Sequence, residues 1–452
     1  MPPAAPHRIV VVGGGAAGLE LVTKLGDRYG RGQRVEVTLV ERARTHLWKP
    51  MLHAVAAGSL DPGEHEINFL AQAHWHHFRY RLGALAGLDR AARQVRLAAM
   101  NDEEGREITP ARALPYDTLV IAVGSITNDF GTPGVAEHAV PLETPAQAAR
   151  FNRRLVNACI RAHAQPGPVR PGQLHVAVIG AGATGTELAA ELHRSVRAVV
   201  AYGLDRIIPD RDVRIVLIEA AGRILPGLPE RISEATHRLL VEMGVDIRTG
   251  VPVAEVRADG VALKDGSFIP AELAVWAAGV RAPAVLAELD GLEVNRAGQL
   301  VVRPSLQTTR DDDVFAIGDC AACPWPGHPT PVPPRAQAAH QQAAHMLGQI
   351  ARRLDGAAPP GADTGAAPGA VLTDWRYRDF GSLVSLGDYS TVGNMMGFLI
   401  GRSIFIEGLF ARMMYRSLYA MHQRALHGNW RAVAGWLARG LSRRTGPAVK
   451  LH

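Results

Sequence analysis

Cysteine is nearly absent from this chain, with only Cys159, Cys320 and Cys323 in 452 residues. That excludes a disulfide scaffold, so stability is expected from apolar burial, as in a reducing compartment such as the cytosol. Long hydrophobic runs are missing too. No stretch approaches the roughly 18 to 20 apolar residues that a spanning helix requires, so any membrane association is expected at the surface. The opening MPPAAPHRIVVVGGG has no charged head or separate cleavage region, so no secretion signal is expected. Acids are scarce in one place. From Arg402 to His452 there are nine basic residues and one acid, Glu407, making that stretch +8 and leaving −2 for the rest of a chain that is +6 in total. A basic end on a near-neutral body points away from nucleic acid and toward an anionic lipid surface. What is present is apolar: 47% hydrophobic residues over this length can fill two or three globular units.

Ile9–Val12 reads as a buried strand, GGGAAG as its turn, Leu19–Leu25 as a helix and Val35–Val40 as a second strand, a βαβ unit. Gly13, Gly15 and Gly18 let a backbone approach a pyrophosphate at a helix N-terminus, and Glu41, closing the next strand, can accept from ribose hydroxyls. The grammar returns at Val176–Ile179, GAGATG and Arg214–Ile218, with Gly180, Gly182 and Gly185 and then Glu219. The 39-residue gap from Gly180 to Glu219 implies an insertion between helix and strand. Glu219 would repel a 2′-phosphate, which favours NADH over NADPH, although Arg223 lies close by. Two such folds in one chain suggest one bound flavin dinucleotide and one exchanging nicotinamide. RAHAQPGPVRPGQ (161–173) reads as a connection between domains, DGAAPPGADTGAAPG (355–369) as a surface loop, and the run after Pro333 as a helix.

Residues 41–60 contain no cysteine, so no dithiol relay is possible there. Cys320 and Cys323 form a lone CxxC without further ligands, and no metal site is expected. From about Phe405 the pattern becomes that of an amphipathic helix. Phe410, Met414, Leu418, Met421 and Ala425 share one sector, with Arg412, Arg416, Gln423 and His427 opposite; Trp430, Trp436, Leu437 and Leu441 continue it among arginines. A helix packed on the core or on a second subunit is the plainer alternative.

The segments VVGGGAAGLEL, RTHLWKPMLHAVAAGSLD, VIGAGATGTELAAEL, WAAGV, FAIGDCA, PPRAQAAHQQA and GSLVSLGDYSTVG together resemble the type II NADH dehydrogenases, single-subunit NADH:quinone oxidoreductases of respiratory membranes. The resemblance implies an α/β fold of two Rossmann-like domains with a C-terminal amphipathic membrane-anchoring region. It implies non-covalent FAD, homodimerisation, peripheral attachment at the cytoplasmic face of the inner membrane, and electron transfer to quinone without proton pumping. The corresponding division is 1–145 and 286–395 for the FAD domain, 146–285 for the NADH domain and 396–452 for the membrane region. By position, FAD would lie on Gly13, Gly15, Gly18 and Glu41, with His46, Lys49 and Asp319 nearby; NADH would lie on Gly180, Gly182, Gly185, Glu219 and Gly279. Gln337 and Gln341, four apart on one helix face, would offer amides to a quinone, with His340 beside them. Glu187 would position the nicotinamide or supply a proton, though an acid at a helix start also complements the dipole. A soluble NADH-dependent reductase of a ferredoxin- or rubredoxin-type carrier and a flavin-binding redox sensor are the alternatives.

Overall fold

The strand, glycine turn, helix and strand expected from the sequence are realised twice in the computed structural model. It describes residues 5–355, 372–385, 391–396, 403–407, 417, 419–426, 428, 430, 434–435 and 449. Two compact units result. The first comprises Met1–His46, Glu66–Ile126 and Arg281–Asp379, the second Leu47–His65, Thr127–Val280 and Phe380–His452. Five helices position the site: α1 (Ala16–Tyr29), α2 (Leu52–Ala57), α3 (Pro145–Ala164), α4 (Ala183–Ala201) and α5 (Ala336–Asp355). In chain order the relevant strands are β1 (His7–Val12), β2 (Val35–Glu41), β3 (Arg79–Leu82), β4 (Thr118–Ile121), β5 (Ala139–Pro141), β6 (His175–Ile179) and β7 (Arg214–Glu219). They continue with β8 (Asp246–Thr249), β9 (Leu273–Trp276), β10 (Gln307–Thr308), β11 (Asp311–Ala316), β12 (Ser382–Ser385), β13 (Thr391–Met396) and β14 (Ser403–Glu407).

The first unit is built on a six-stranded sheet in the order β10, β11, β4, β1, β2, β3, parallel except for β10. Ile9–Val12 and Leu119–Ile121 are almost fully buried, as expected for parallel strands covered on both faces. α1 packs on it and on α5. The second unit repeats the plan in a parallel sheet ordered β5, β9, β6, β7, β8. Its main core joins Leu52, Val55 and Ala56 of α2 to Phe151 and Leu155 of α3 and Leu188 and Leu192 of α4.

Several boundaries differ from the expected ones. The division at 145/146 and 285/286 falls instead at 126/127 and 280/281, and residues 47–65, read with the flavin domain, belong to the second unit. The Pro- and Gly-rich 161–173 stretch is no link between domains. α3 runs to Ala164, and the loop leads into β6 of the same unit. The long Gly180–Glu219 gap is filled chiefly by the 19 residues of α4 and a short turn of helix at Pro209–Asp212. Ser403–Glu407 is a strand, SIFIE, paired antiparallel with β13, which itself pairs with β12, so helix cannot begin at Phe405 and the 395/396 boundary would cut β13. The 356–371 loop and most of the tail lie outside the described residues.

Candidate functional site

Each unit forms the same turn at the end of its first strand. Gly13 has φ +111° and Gly180 φ +99°, backbone conformations that favour glycine. Neither could carry a Cβ: at Gly13 it would lie 2.2 Å from the Ala122 carbonyl oxygen just beyond β4, and at Gly180 2.6 Å from Ala278 just beyond β9. The turns thus sit where two neighbouring strands of each sheet end, the crevice in which doubly wound folds bind ligands. Gly18 and Gly185 are dictated by packing, since a Cβ on either would come within 1.9 Å of the Gly13 or Gly180 carbonyl oxygen. Gly15 and Gly182 are different. A Cβ there would meet nothing within 4 Å, yet both are glycine, and each caps a helix that has no side-chain cap. Protein packing gives no reason for either. A dinucleotide pyrophosphate passing over the helix N-terminus does, so both loops fit such a group.

The acids follow the same duplication. Glu41 Oε2 accepts from the Gly14 N–H at 2.6 Å, and Glu219 Oε2 accepts from the Ala181 N–H at 2.8 Å. Their second oxygens accept from the backbone of residues 42 and 43 and of residue 221. Each carboxylate is thereby fixed at the rim of its glycine loop. His46, fully buried, faces the Gly14 carbonyl oxygen through Nδ1 at 2.9 Å. Burial drives its pKa down to about 4, so the ring is neutral, and a carbonyl partner requires that Nδ1 carry the proton and donate. The Arg223 guanidinium donates to the Leu225, Pro226 and Leu228 carbonyls of its own loop.

Asp319 follows β11 in a 3₁₀ turn. Its Oδ2 accepts from Ser125 Oγ at 2.7 Å, its carbonyl from Gln299, and Gly318 N–H donates to Gln342 of α5 at 2.6 Å. Residue Gly279 has φ +66°, and a Cβ there would collide with the Phe130 ring at 2.6 Å. Lys49 is exposed and belongs to the second unit, whereas the Gly13 loop belongs to the first.

The prolines before α5 set its start at Ala336 rather than at Pro333. Gln337 Nε2 donates to Asp379 at 3.2 Å. Gln341 is committed at both ends of its amide, donating to the Arg378 carbonyl at 2.8 Å and accepting from the Arg378 N–H at 3.0 Å, so it ties the 372–380 segment to α5. His340 faces the buried Glu20 of α1, which also pairs with Lys24. Glu187, on the first turn and a half of α4, is 5% exposed and lies 3.3 Å from His53 Nδ1 of α2. Sequence reasoning missed His53, Ser125 and Gln342. His53 had a visible signal, a histidine among apolar residues in KPMLHAVAA, while the other two depend on strand ends that only folding brings together.

Among the described residues no group of three or more His, Cys, Asp or Glu side chains could hold a metal, and no helix is long and apolar enough to cross a membrane. Cys320 Sγ faces the Ile121 and Ile317 carbonyls, and burial pushes both it and Cys323 up to about 12.

The family model described as pyridine nucleotide-disulphide oxidoreductase matches residues 7–343. A type II NADH:quinone oxidoreductase of Haemophilus influenzae is 40% identical over 98% of this chain and 99% of its own. The chain belongs to this family. The type II NADH:quinone oxidoreductase Ndh of Mycobacterium tuberculosis is 28% identical over 98% of the chain and 90% of its own length. The solved NDH2 of Plasmodium falciparum in complex with NADH has the same fold, with a TM-score of 0.78 at 17% identity, covering 98% of this chain and all of that one. Membership explains how a chain of the disulphide-oxidoreductase fold lacks cysteine at 41–60: reduction of quinone needs no dithiol relay.

Proposed function

We propose that the protein is a respiratory NADH:quinone oxidoreductase that oxidises NADH and passes two electrons through bound FAD to a quinone. The duplicated loop and acid, Gly14 with Glu41 and Ala181 with Glu219, carry the reading, because they provide two dinucleotide sites in one chain of this family. When bound, FAD supplies the two-electron chemistry that couples nicotinamide oxidation to quinone reduction.

The chain's own residues do the rest. In the first unit, the α1 N-terminus would hold the pyrophosphate across Gly15, Glu41 would accept from ribose hydroxyls, and His46 holds the loop carbonyl without introducing charge. Asp319, oriented by Ser125, would hold the ribityl or phosphate part of the flavin. In the second unit, Gly182 and Glu219 would do the same for NADH, with Gly279, whose missing side chain leaves room for the Phe130 ring, lending backbone to that site. Glu219 disfavours a 2′-phosphate, and Arg223, occupied by three carbonyls, is not set to bind one. Both glutamines are engaged, Gln337 with Asp379 and Gln341 with the 378 backbone, so either would have to release a partner to turn its amide to quinone. Glu187 supplies a proton to the reaction, a role favoured over nicotinamide positioning by its buried histidine partner.

The tail is proposed to rest on an anionic lipid surface at the cytoplasmic face of the inner membrane, in a homodimer, with no proton carried across. Purified protein that bleaches with NADH and recovers its flavin bands with quinone supports the reading. Sustained turnover with a ferredoxin-type carrier and none with quinone would replace it with the soluble reductase, and bleaching without turnover would leave a sensor.

A further inference from the structure

We propose that His53 is a positioning residue for Glu187, holding the proton that this carboxyl hands on during quinone reduction. The inference rests on the proton-supply reading of Glu187 given above. Glu187 and Glu191 stand one turn apart on α4, 5% and 6% exposed, so two carboxyl groups share one buried helix face. Glu191 is paired with Arg194. Glu187 has the imidazole of His53 at 3.3 Å, and that ring is itself only 9% exposed.

Burying an acid is costly unless it is paired or protonated, and the partner supplied here is the one cation that can give up its proton near neutral pH. Burial lowers the affinity of His53 for a proton, while the Glu191 charge and the Pro50 carbonyl restore part of it. The pair therefore holds one proton that can reside on either group. Transfer breaks the Nδ1–H bond of His53 and forms an Oε2–H bond on Glu187, no electron moves, and a proton taken up from solvent then restores the Nδ1–H bond.

On its buried face α3 presents Asn152, whose amide donates to the Ala56 carbonyl, and Cys159, while Arg150, Arg153 and Arg154 face solvent. Lys49, at the start of the same segment, is exposed. His422 of the tail stacks on Trp48, with the Tyr419 ring tilted against the same indole, five residues before His53.

The test is kcat with a short-chain quinone at saturating NADH, on flavin-loaded full-length protein, from about pH 5.5 to 9. Glu187→Gln should lower kcat at least about tenfold and remove its alkaline fall. His53→Ala leaves two carboxyls in an apolar setting that disfavours negative charge, so the midpoint of that fall should move up by about one pH unit as kcat declines. His53→Asn keeps an N–H near the Nδ1 position and should shift the midpoint less. The double variant His53→Ala/Glu187→Gln should be no slower than Glu187→Gln alone. A midpoint unmoved in both His53 variants, or losses that multiply in the double variant, would overturn the proposal while leaving Glu187 its role. An inert Glu187→Gln would overturn both. If neither His53 variant loads flavin, the redox infrared difference spectrum of wild-type protein decides. A histidine-isotope-sensitive band accompanying a carboxyl band absent from Glu187→Gln supports the pairing, and no such band contradicts it.

Discussion

Gly15 and Gly18, three residues apart, respond to the same added methyl group in opposite ways. At Gly18 a Cβ would overlap the Gly13 carbonyl oxygen, backbone against backbone, so the turn must open. At Gly15 it would meet no protein atom. Gly18→Ala is expected to cost about 3 kcal/mol or more of stability and to lose flavin, as overpacking against rigid backbone does. Gly15→Ala should melt within a degree or two of wild type yet retain flavin poorly, because the methyl group would stand in the path of a pyrophosphate bound as proposed. Thermal melting and the flavin-to-protein absorbance ratio measure the two effects separately. His46 makes a second prediction at this scale. Its folded pKa of about 4 is depressed from 6.5, so the stability it contributes is fully present above pH 6.5 and is lost as pH falls toward 4, by about 3 kcal/mol in all. His46→Asn keeps an N–H for the Gly14 carbonyl and should flatten that part of the fall in a pH series of melting curves.

At the scale of elements, the packing of α1 on α5 has a polar fastening. The carboxylate of Glu20, 1% exposed in the middle of α1, is shared between Lys24 one turn on and His340 of α5. Glu20→Gln keeps the shape and removes the charge, so it should destabilise the first unit by about 1 to 3 kcal/mol in denaturant titration. An unchanged midpoint would show that apolar contacts alone hold the two helices. His340 thus has a definite structural partner, one that helix periodicity could not reveal because Glu20 lies 320 positions away. The strands and turns of both glycine folds were legible, since continuous apolar runs, tight glycine spacing and a closing acid are local signals. β14 was not: SIFIE satisfies an apolar helix face as readily as a strand, and only its pairing with β13 decides. The fates of Gln337 and Gln341 were likewise invisible, because the 372–380 segment that engages them follows a long Pro- and Gly-rich stretch.

For the whole molecule, the sequence marked the two units but not where the chain changes between them. The 47–65 segment goes to the second unit because Leu47, Leu52, Val55 and Leu60 fill a core with α3 and α4, a preference set by the shape of distant partners. The tail also differs from its simple helical wheel. Gln423, placed on the polar side, is 6% exposed, and Met421, placed on the apolar side, is 51% exposed. The face toward the protein is made by His422, Gln423 and Leu426, with His422 stacked on Trp48. Removing residues 400–452 would therefore uncover Trp48 as well as any lipid-seeking surface. Point changes are the cleaner probe. Trp430 is 88% exposed and, with Met421, leaves apolar surface beside Arg424, the composition an acidic interface accepts. Met421→Glu/Trp430→Glu should cut co-sedimentation with anionic vesicles several-fold while leaving NADH-dependent bleaching of the flavin intact.

The central claim is that both glycine loops hold dinucleotides and that electrons leave for quinone. One absorbance record tests it most directly: purified protein alone, then with NADH, then with a short-chain quinone in excess. Flavin bands should be present, vanish with NADH and return with quinone in repeated cycles. A colourless protein that takes up no added FAD, or a bleached one that quinone fails to restore, would contradict the account.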